Sequence, residues 1–202
     1  MTQESSEDLK LEAEPISEVS CRFTVDRPMQ PDRSYYFANK EQAEGSALAE
    51  ALFDVEGVAA VLISHNEITV TTNTVEEWQV IGKKIGGAIP AHHARGKPAV
   101  SPELWEKLPP AEEIRARVED VLSTEINPAV AAHGGVISLI DVKENVVYLR
   151  LGGGCQGCGM ADVTLKQGIE KSIRFAVPEV GEILDVTDHA SGRNPYYTPS
   201  KK

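Results

Sequence analysis

Apolar positions along the chain fall into two successive blocks, each switching between a period of two and a helical period. The first block opens with "CRFTV", the proline-bearing "DRPMQPDR" and then "SYYFAN". These predict two short strands around a turn. Ala47, Leu48, Ala51 and Leu52 then recur on one helical face, with Ser46 placed as the N-cap. "EGVAAVLISHNEITVTT" is rich in β-branched residues on both sides of His65-Asn66, which predicts a hairpin. Thr74 and Glu77 form a T-x-x-E capping box before a helix that puts Trp78, Ile81, Ile85 and Ile89 on one face. Glycines at 82, 86 and 87 weaken that helix. His92 and His93 close it, next to Arg95 and Lys97, where the helix dipole favours cations.

"RGKPAVSPELWEKLPPAEE" carries four prolines and a glycine and reads as a linker. Trp105 within it is expected to be a docking contact. The second block starts with a helix in which Ile114, Val118, Val121, Leu122 and Ile126 repeat at helical spacing. Pro128 should kink or end it, and Gly134-Gly135 after His133 should stop any continuation. "VISLIDVKENVVYLRL" predicts a second hairpin turning near Lys143–Asn145. A further helix is marked by Val163, Leu165, Ile169, Ile173 and Ala176, and Pro178 stops it. "EILDVT" reads as a last strand. The pattern predicts an α/β (α+β) chain of two small domains, each a short sheet packed with helices. No residue-level repeat relates the halves.

Composition narrows the function. The chain has 202 residues, 41% hydrophobic and 25% charged, with a net charge of −11. An acidic surface repels a phosphate backbone, so nucleic acid is not the expected partner. No apolar run approaches membrane-spanning length, so no membrane partner is expected either. Residues 1–20 hold six acidic groups against one lysine and read as a disordered acidic tail without the marks of a targeting signal. Three cysteines are too few for a disulfide framework, which points to a reducing, cytoplasmic setting.

Two of those cysteines carry the candidate chemistry. In "LRLGGGCQGCGMADVTLKQGIEKSI", Cys155 and Cys158 follow a strand and open a helix. Free N–H groups and the positive end of the dipole there favour thiolate. Gly152, Gly153, Gly154, Gly157 and Gly159 leave bare backbone that can approach a bound anion. Four readings fit such a pair. Thiol–disulfide exchange would use it alone. A structural zinc would need two more ligands, with His133 and His189 as candidates. A copper chaperone would use soft thiolates, although Met160 lies after the pair rather than before it. An iron–sulfur cluster wants four thiolates, which a two-fold dimer would supply. Cys21 lies a domain away in sequence and reads as a small apolar side chain.

From about residue 112 to 190, H-G-G, a hairpin, G-x-C-x-x-C, "TLKQGIE" and "PEV" succeed one another. This stretch resembles the C-terminal Nfu domain of NifU-like iron–sulfur carriers. "HASGRNPYY" resembles the ending of bacterial Nfu-type proteins. The stretch from about 22 to 98 resembles the Nfu N-terminal domain, without its usual Thr-Pro-Asn-Pro opening. The resemblance implies a C-terminal domain with a three-stranded sheet flanked by helices. It also implies a non-enzymatic carrier that holds one [4Fe–4S] cluster per homodimer through Cys155 and Cys158. Such a carrier receives the cluster from an upstream donor scaffold and delivers it to apo iron–sulfur client proteins. The expected organisation is an acidic tail (1–20), an Nfu N-terminal-type domain (21–97), a linker (98–111), the cluster-binding domain (112–190) and a C-terminal tail with Tyr196-Tyr197 (191–202).

Overall fold

The computed structural model describes residues 9–73, 78–132, 134–153 and 159–186. The chain divides into two compact units, with the division between Leu108 and Pro109. Both units combine a sheet with helices, as the α+β reading expects.

The first unit is a five-stranded antiparallel sheet. Its strands are β1 (Leu11–Ser17), β2 (Ser20–Val25), β3 (Gln30–Phe37), β4 (Val58–His65) and β5 (Glu67–Thr72), arranged in the order β1-β2-β5-β4-β3. Two rows of apolar side chains cross it in register. One runs Ala13, Phe23, Ile68, Ile63, Tyr35, and the other Pro15, Cys21, Val70, Val61, Phe37. Helices α1 (Ala47–Phe53) and α2 (Trp78–His93) pack with this sheet. Leu48 and Leu52 of α1, and Ile81, Ile85 and Ile89 of α2, are fully or almost fully buried in the same core. The expected stripe on α2 is therefore its packed face, although Thr74 and Glu77 of the expected capping box lie outside the described residues. The β4–β5 hairpin closes at Ser64 and Glu67, with His65 at φ 50°. Asn66 fastens this turn to the end of β2. Its side-chain amide donates to the Val25 carbonyl at 2.9 Å, and its carbonyl accepts from the Val25 N–H at 2.8 Å.

Two expectations are corrected here. Residues 11–17, expected within a disordered tail, form the edge strand β1. The charges hide a period of two. Leu11 and Ala13 pair with Val25 and Phe23, while Glu12 and Glu14 alternate with them and Glu14 comes within 3.8 Å of Arg22. Pro15 and the carboxylates also suit an edge, where they discourage pairing with another chain. Residues 1–8 of the expected tail lie outside the described residues.

The second correction concerns the proline-rich linker. Ala99, Val100 and Leu104 are buried in the first unit's core. Pro102 starts the short helix α3 (Pro102–Glu106) instead of spacing two domains. Ser46 holds the segment: its Oγ accepts from the Ala49 N–H at 3.1 Å as the expected N-cap and donates to the Ala99 carbonyl at 2.6 Å. Trp105 docks as expected, edge-on to Tyr35 at 5.3 Å and 5.7 Å from the Arg33 guanidinium.

The second unit is built on a three-stranded sheet, as expected. Strands β6 (Gly135–Lys143) and β7 (Val146–Gly153) form the predicted hairpin, which turns at Glu144 and Asn145. Strand β8 (Ile183–Asp185) lies parallel to β7 after the crossover helix α6 (Gly159–Ala176). Ile114 and Val118 of α4 (Ala111–Val121) are completely buried with Ile137, Val147, Leu149 and Ile173. Arg117 clamps the end of α6 to the next loop, with two 3.0 Å bonds to Glu179 and one to the Ala176 carbonyl.

Pro128 does not end the first helix of this unit. The chain widens into a π turn over Leu122–Ile126 and continues as α5 (Asn127–Ala131). A regular helix would set the proline ring against the carbonyl four residues back. The wider turn relieves that clash. The hydroxyls of Ser123 and Thr124 donate to the Asp120 carbonyl at 2.9 and 2.8 Å and so satisfy it.

His92 is not the exposed cation that its place at a helix end suggests. Only 2% of it is exposed, and neither ring nitrogen has a well-formed hydrogen bond. Burial pushes its pKa below the ordinary histidine value. Arg95, His93 and Lys97 push the same way, and a backbone interaction with Lys97 only partly opposes them.

Two outcomes are expected from this unit. Ser46→Ala leaves the Ala99 carbonyl and the Ala49 N–H without their partner, and should cost about 2 kcal/mol in urea unfolding. A histidine whose pKa is depressed by folding takes up its proton more readily when unfolded. Its contribution is therefore complete above the unfolded value near 6.5 and is lost as pH falls below it. Unfolding free energy should drop between about pH 7 and pH 5, and His92→Leu should flatten that slope. A wild-type profile already flat over this range would contradict the assignment.

Candidate functional site

The expected site residues Cys155 and Cys158, with Gly154 and Gly157, lie outside the described residues, as do His133 and His189. The described residues form the frame that holds their segment. Strand β7 ends at Gly153, helix α6 begins at Gly159, and Gly154–Cys158 join the two.

The frame is tight on the strand side. Gly135 pairs with Gly153 at the open end of the β6–β7 hairpin. Gly153 has φ 63° and Gly134 has φ 71°, both in the left-handed region that L side chains rarely adopt. A Cβ on Gly153 would clash with the Gly134 carbonyl oxygen. One on Gly152 would lie 3.0 Å from Cγ1 of Val136. The neighbouring strand therefore gives Gly153, and less strictly Gly152, a structural reason to be glycine besides the expected approach to a bound anion.

The start of β6 is fixed in turn by Asn127. Its side-chain amide donates to the Ile137 carbonyl at 2.9 Å, and its Oδ1 accepts from the Ile137 N–H at 2.8 Å. Sequence reasoning misses this clamp, because Asn127 stands just before Pro128 and the proline dominates as a helix breaker. The only sequence signal is an amide-bearing residue directly before a proline within a helical run.

On the far side, α6 is an 18-residue helix. The N–H groups of its first turn have no partners within the helix, and its dipole is positive at that end. A segment running from a strand end into this helix start therefore meets donors and positive potential. Thiolates placed there would be stabilised relative to thiols.

Cys21 is no part of this frame. It sits in an apolar row of the first unit's sheet, 2% exposed, and its Sγ lies 3.7 Å from the Arg22 carbonyl. Burial pushes its thiol pKa up. Among the described residues, no group of three or more His, Cys, Asp or Glu side chains is arranged to hold a metal ion. No helix among them is long and apolar enough to cross a membrane.

Two family models match the chain. One described as "NifU-like domain" covers residues 118–184, which include Cys155 and Cys158. One described as "Scaffold protein Nfu/NifU N terminal" covers residues 13–96 and so takes in most of β1. Together they account for well over half of the sequence. The chain belongs to the Nfu family.

Its relatives include the "Fe/S biogenesis protein NfuA" of Pseudomonas aeruginosa, 54% identical over 85 residues, or 42% of this chain and 44% of that protein. The protein of the same name from Stutzerimonas stutzeri is 55% identical over 82 residues, covering 40% and 42%. The Nfu chain thus matches less than half the length of these curated relatives. A solution structure of a NifU-like protein from Saccharomyces cerevisiae covers 50% of this chain and 93% of its own, at 19% identity and a TM-score of 0.45. A crystal structure of a Staphylococcus aureus protein covers 41% and 99%, at 14% identity and a TM-score of 0.35.

The glycine at the end of β7 gives a direct check on this frame. Gly153→Ala should lose about 1–3 kcal/mol through the left-handed backbone alone, with the Gly134 contact adding to it. Gly168 lies exposed on α6 with open space around it. Gly168→Ala should instead gain about 0.5–1 kcal/mol. Urea unfolding of both variants measures the contrast, and equal effects would mean that the strand contact is not tight in solution.

Proposed function

We propose that this Nfu chain is an iron–sulfur cluster carrier. Cys155 and Cys158 of one protomer, with the same pair from a second, hold one [4Fe–4S] cluster as cargo. The carrier receives the cluster from a donor scaffold in the cytoplasm and passes it to apo iron–sulfur proteins. It does no turnover chemistry of its own. The observation that carries this reading is the joint between β7 and α6. The matched NifU-like domain spans a two-cysteine segment that enters the positive end of a long helix. The relatives named as Fe/S biogenesis proteins support it.

The ligand count drives the rest. A [4Fe–4S] core takes four thiolates, and this domain supplies two. Cys21 is buried as a raised-pKa thiol in the other unit and is a poor substitute. Two-fold symmetry completes the set without any further residue type. The core with its thiolates is anionic, so the N–H groups at the start of α6 stabilise it. Delivery is then ligand exchange: each departing thiolate is replaced by one from the client, and the core keeps its iron, sulfide and charge.

Anaerobic reconstitution tests this. Near four irons and four sulfides per dimer are expected, with the charge-transfer colour lost in Cys155→Ser and in Cys158→Ser. A stoichiometric zinc per monomer, or a redox-active Cys155–Cys158 disulfide with insulin-reductase activity, would sink the proposal.

A further inference from the structure

We propose that Asn127 is a positioning residue for the cysteine segment, acting through the start of β6. The proposal rests on the carrier reading for its purpose, but its geometry stands apart from it. Among the described residues β6 is an edge strand of the second unit, paired on one side only with β7. Asn127 takes both backbone groups of Ile137, at 2.8 and 2.9 Å. That double bond pattern is what a neighbouring strand would supply, and it fixes both the height and the direction of β6.

Three residues earlier, the carbonyl of Gly134 lies where a side chain of Gly153 would be. Any shift of β6 along its axis therefore drives this carbonyl into or away from the backbone of Gly153. Gly153 is the last residue of β7, and the chain leaves it for Cys155 through a φ of 63°. The exit direction of the cysteine segment is thus set by a contact that Asn127 holds in place.

The π turn belongs to the same device. It inserts one residue into the helix immediately before Asn127 and so rotates the residues beyond it by about 100°. The backbone N–H of Asn127 donates to the Leu122 carbonyl, five residues back, which seats the residue at the end of the turn. Removing the turn would aim the Asn127 side chain away from Ile137.

Thiol accessibility in the cluster-free protein reads this role without any cargo. Asn127→Ala and Asn127→Asp would be compared with Val118→Ala, a core truncation in the same unit that leaves the clamp intact. Alkylation of Cys155 and Cys158 by iodoacetamide would be tracked by peptide mapping under conditions where every variant is folded by circular dichroism. Asn127→Ala should change both alkylation rates several-fold and shorten the lifetime of the loaded cluster about tenfold, the scale of lost support behind a metal ligand. Asn127→Asp keeps the acceptor for the Ile137 N–H but turns a carboxylate oxygen toward the Ile137 carbonyl, so it should change the alkylation rates at least as much as Asn127→Ala. Val118→Ala should lower the melting temperature yet leave the alkylation rates unchanged. If Asn127→Ala matches Val118→Ala in alkylation, Asn127 is only a structural residue and the proposal is overturned. A wild-type chain that binds no cluster would sink the carrier reading while the alkylation comparison still decides this one.

Discussion

The second unit is organised around one close approach, where the carbonyl of Gly134 occupies the space beside Gly153 that a side chain would need. Backbone against backbone leaves no room for a side chain on Gly153, while Gly134 faces open space and is favoured as glycine by its left-handed φ alone. The contact ends the β6–β7 ladder at a defined point and turns the chain out of the sheet. Everything around it keeps it in register. Asn127 holds β6, Val136 covers Gly152, and the buried row of Ile137, Leu149 and Leu151 keeps the hairpin on the helices. Packed cores resist continuous deformation, so a contact this short is either kept or lost.

The first unit spends its sequence differently. Its five strands carry two complete apolar rows, and Cys21 is one member of the second row. A small, weakly polar side chain suits that place, and the raised pKa keeps it a thiol. A buried neutral thiol and a buried neutral histidine in one core give this unit its chemical character. It stores no reactive group at its surface from these two residues. Its three-residue stretch Ala99, Val100 and Ser101, tied through Ser46 and Gly45, closes the core with a segment whose prolines read as a linker.

Legibility tracks the length and purity of each periodic signal. The stripes Ile81, Ile85, Ile89 and Ile114, Val118, Val121 are long enough for helical spacing to dominate, and all six are buried. Both hairpins announce themselves by β-branched runs around short polar turns. The strand β1 stays hidden because Glu12 and Glu14 supply the polar half of its alternation and make the whole stretch read as a charge run. The segment from Ala99 to Leu104 stays hidden because prolines mark both linkers and helix starts, and only tertiary contacts separate the two. At the candidate site, cysteine spacing is readable because its chemistry depends on residue type. The Asn127 clamp is not, because a side chain that completes a strand edge across ten residues leaves no periodic trace.

Where the rigidity lies bears on what a carrier can do. A cargo site that must release its load gains nothing from a closed set of four ligands in one chain, since such a site holds structural metals tightly. On the proposed carrier reading, two thiolates per chain would keep each protomer's hold partial. Partial hold is useful only if the ligands are presented in the right direction before the cargo arrives, because ordering them at that moment would cost conformational entropy. In this chain the presenting elements are a strand end that cannot bend without moving a backbone carbonyl and a helix of 18 residues. On that reading preorganisation would reside in the frame, and the incompleteness in the ligand count. On the carrier reading these are separate controls: substitutions at Asn127 or Gly153 act on how well the thiolates are aimed, and substitutions at the cysteines act on whether there is anything to aim.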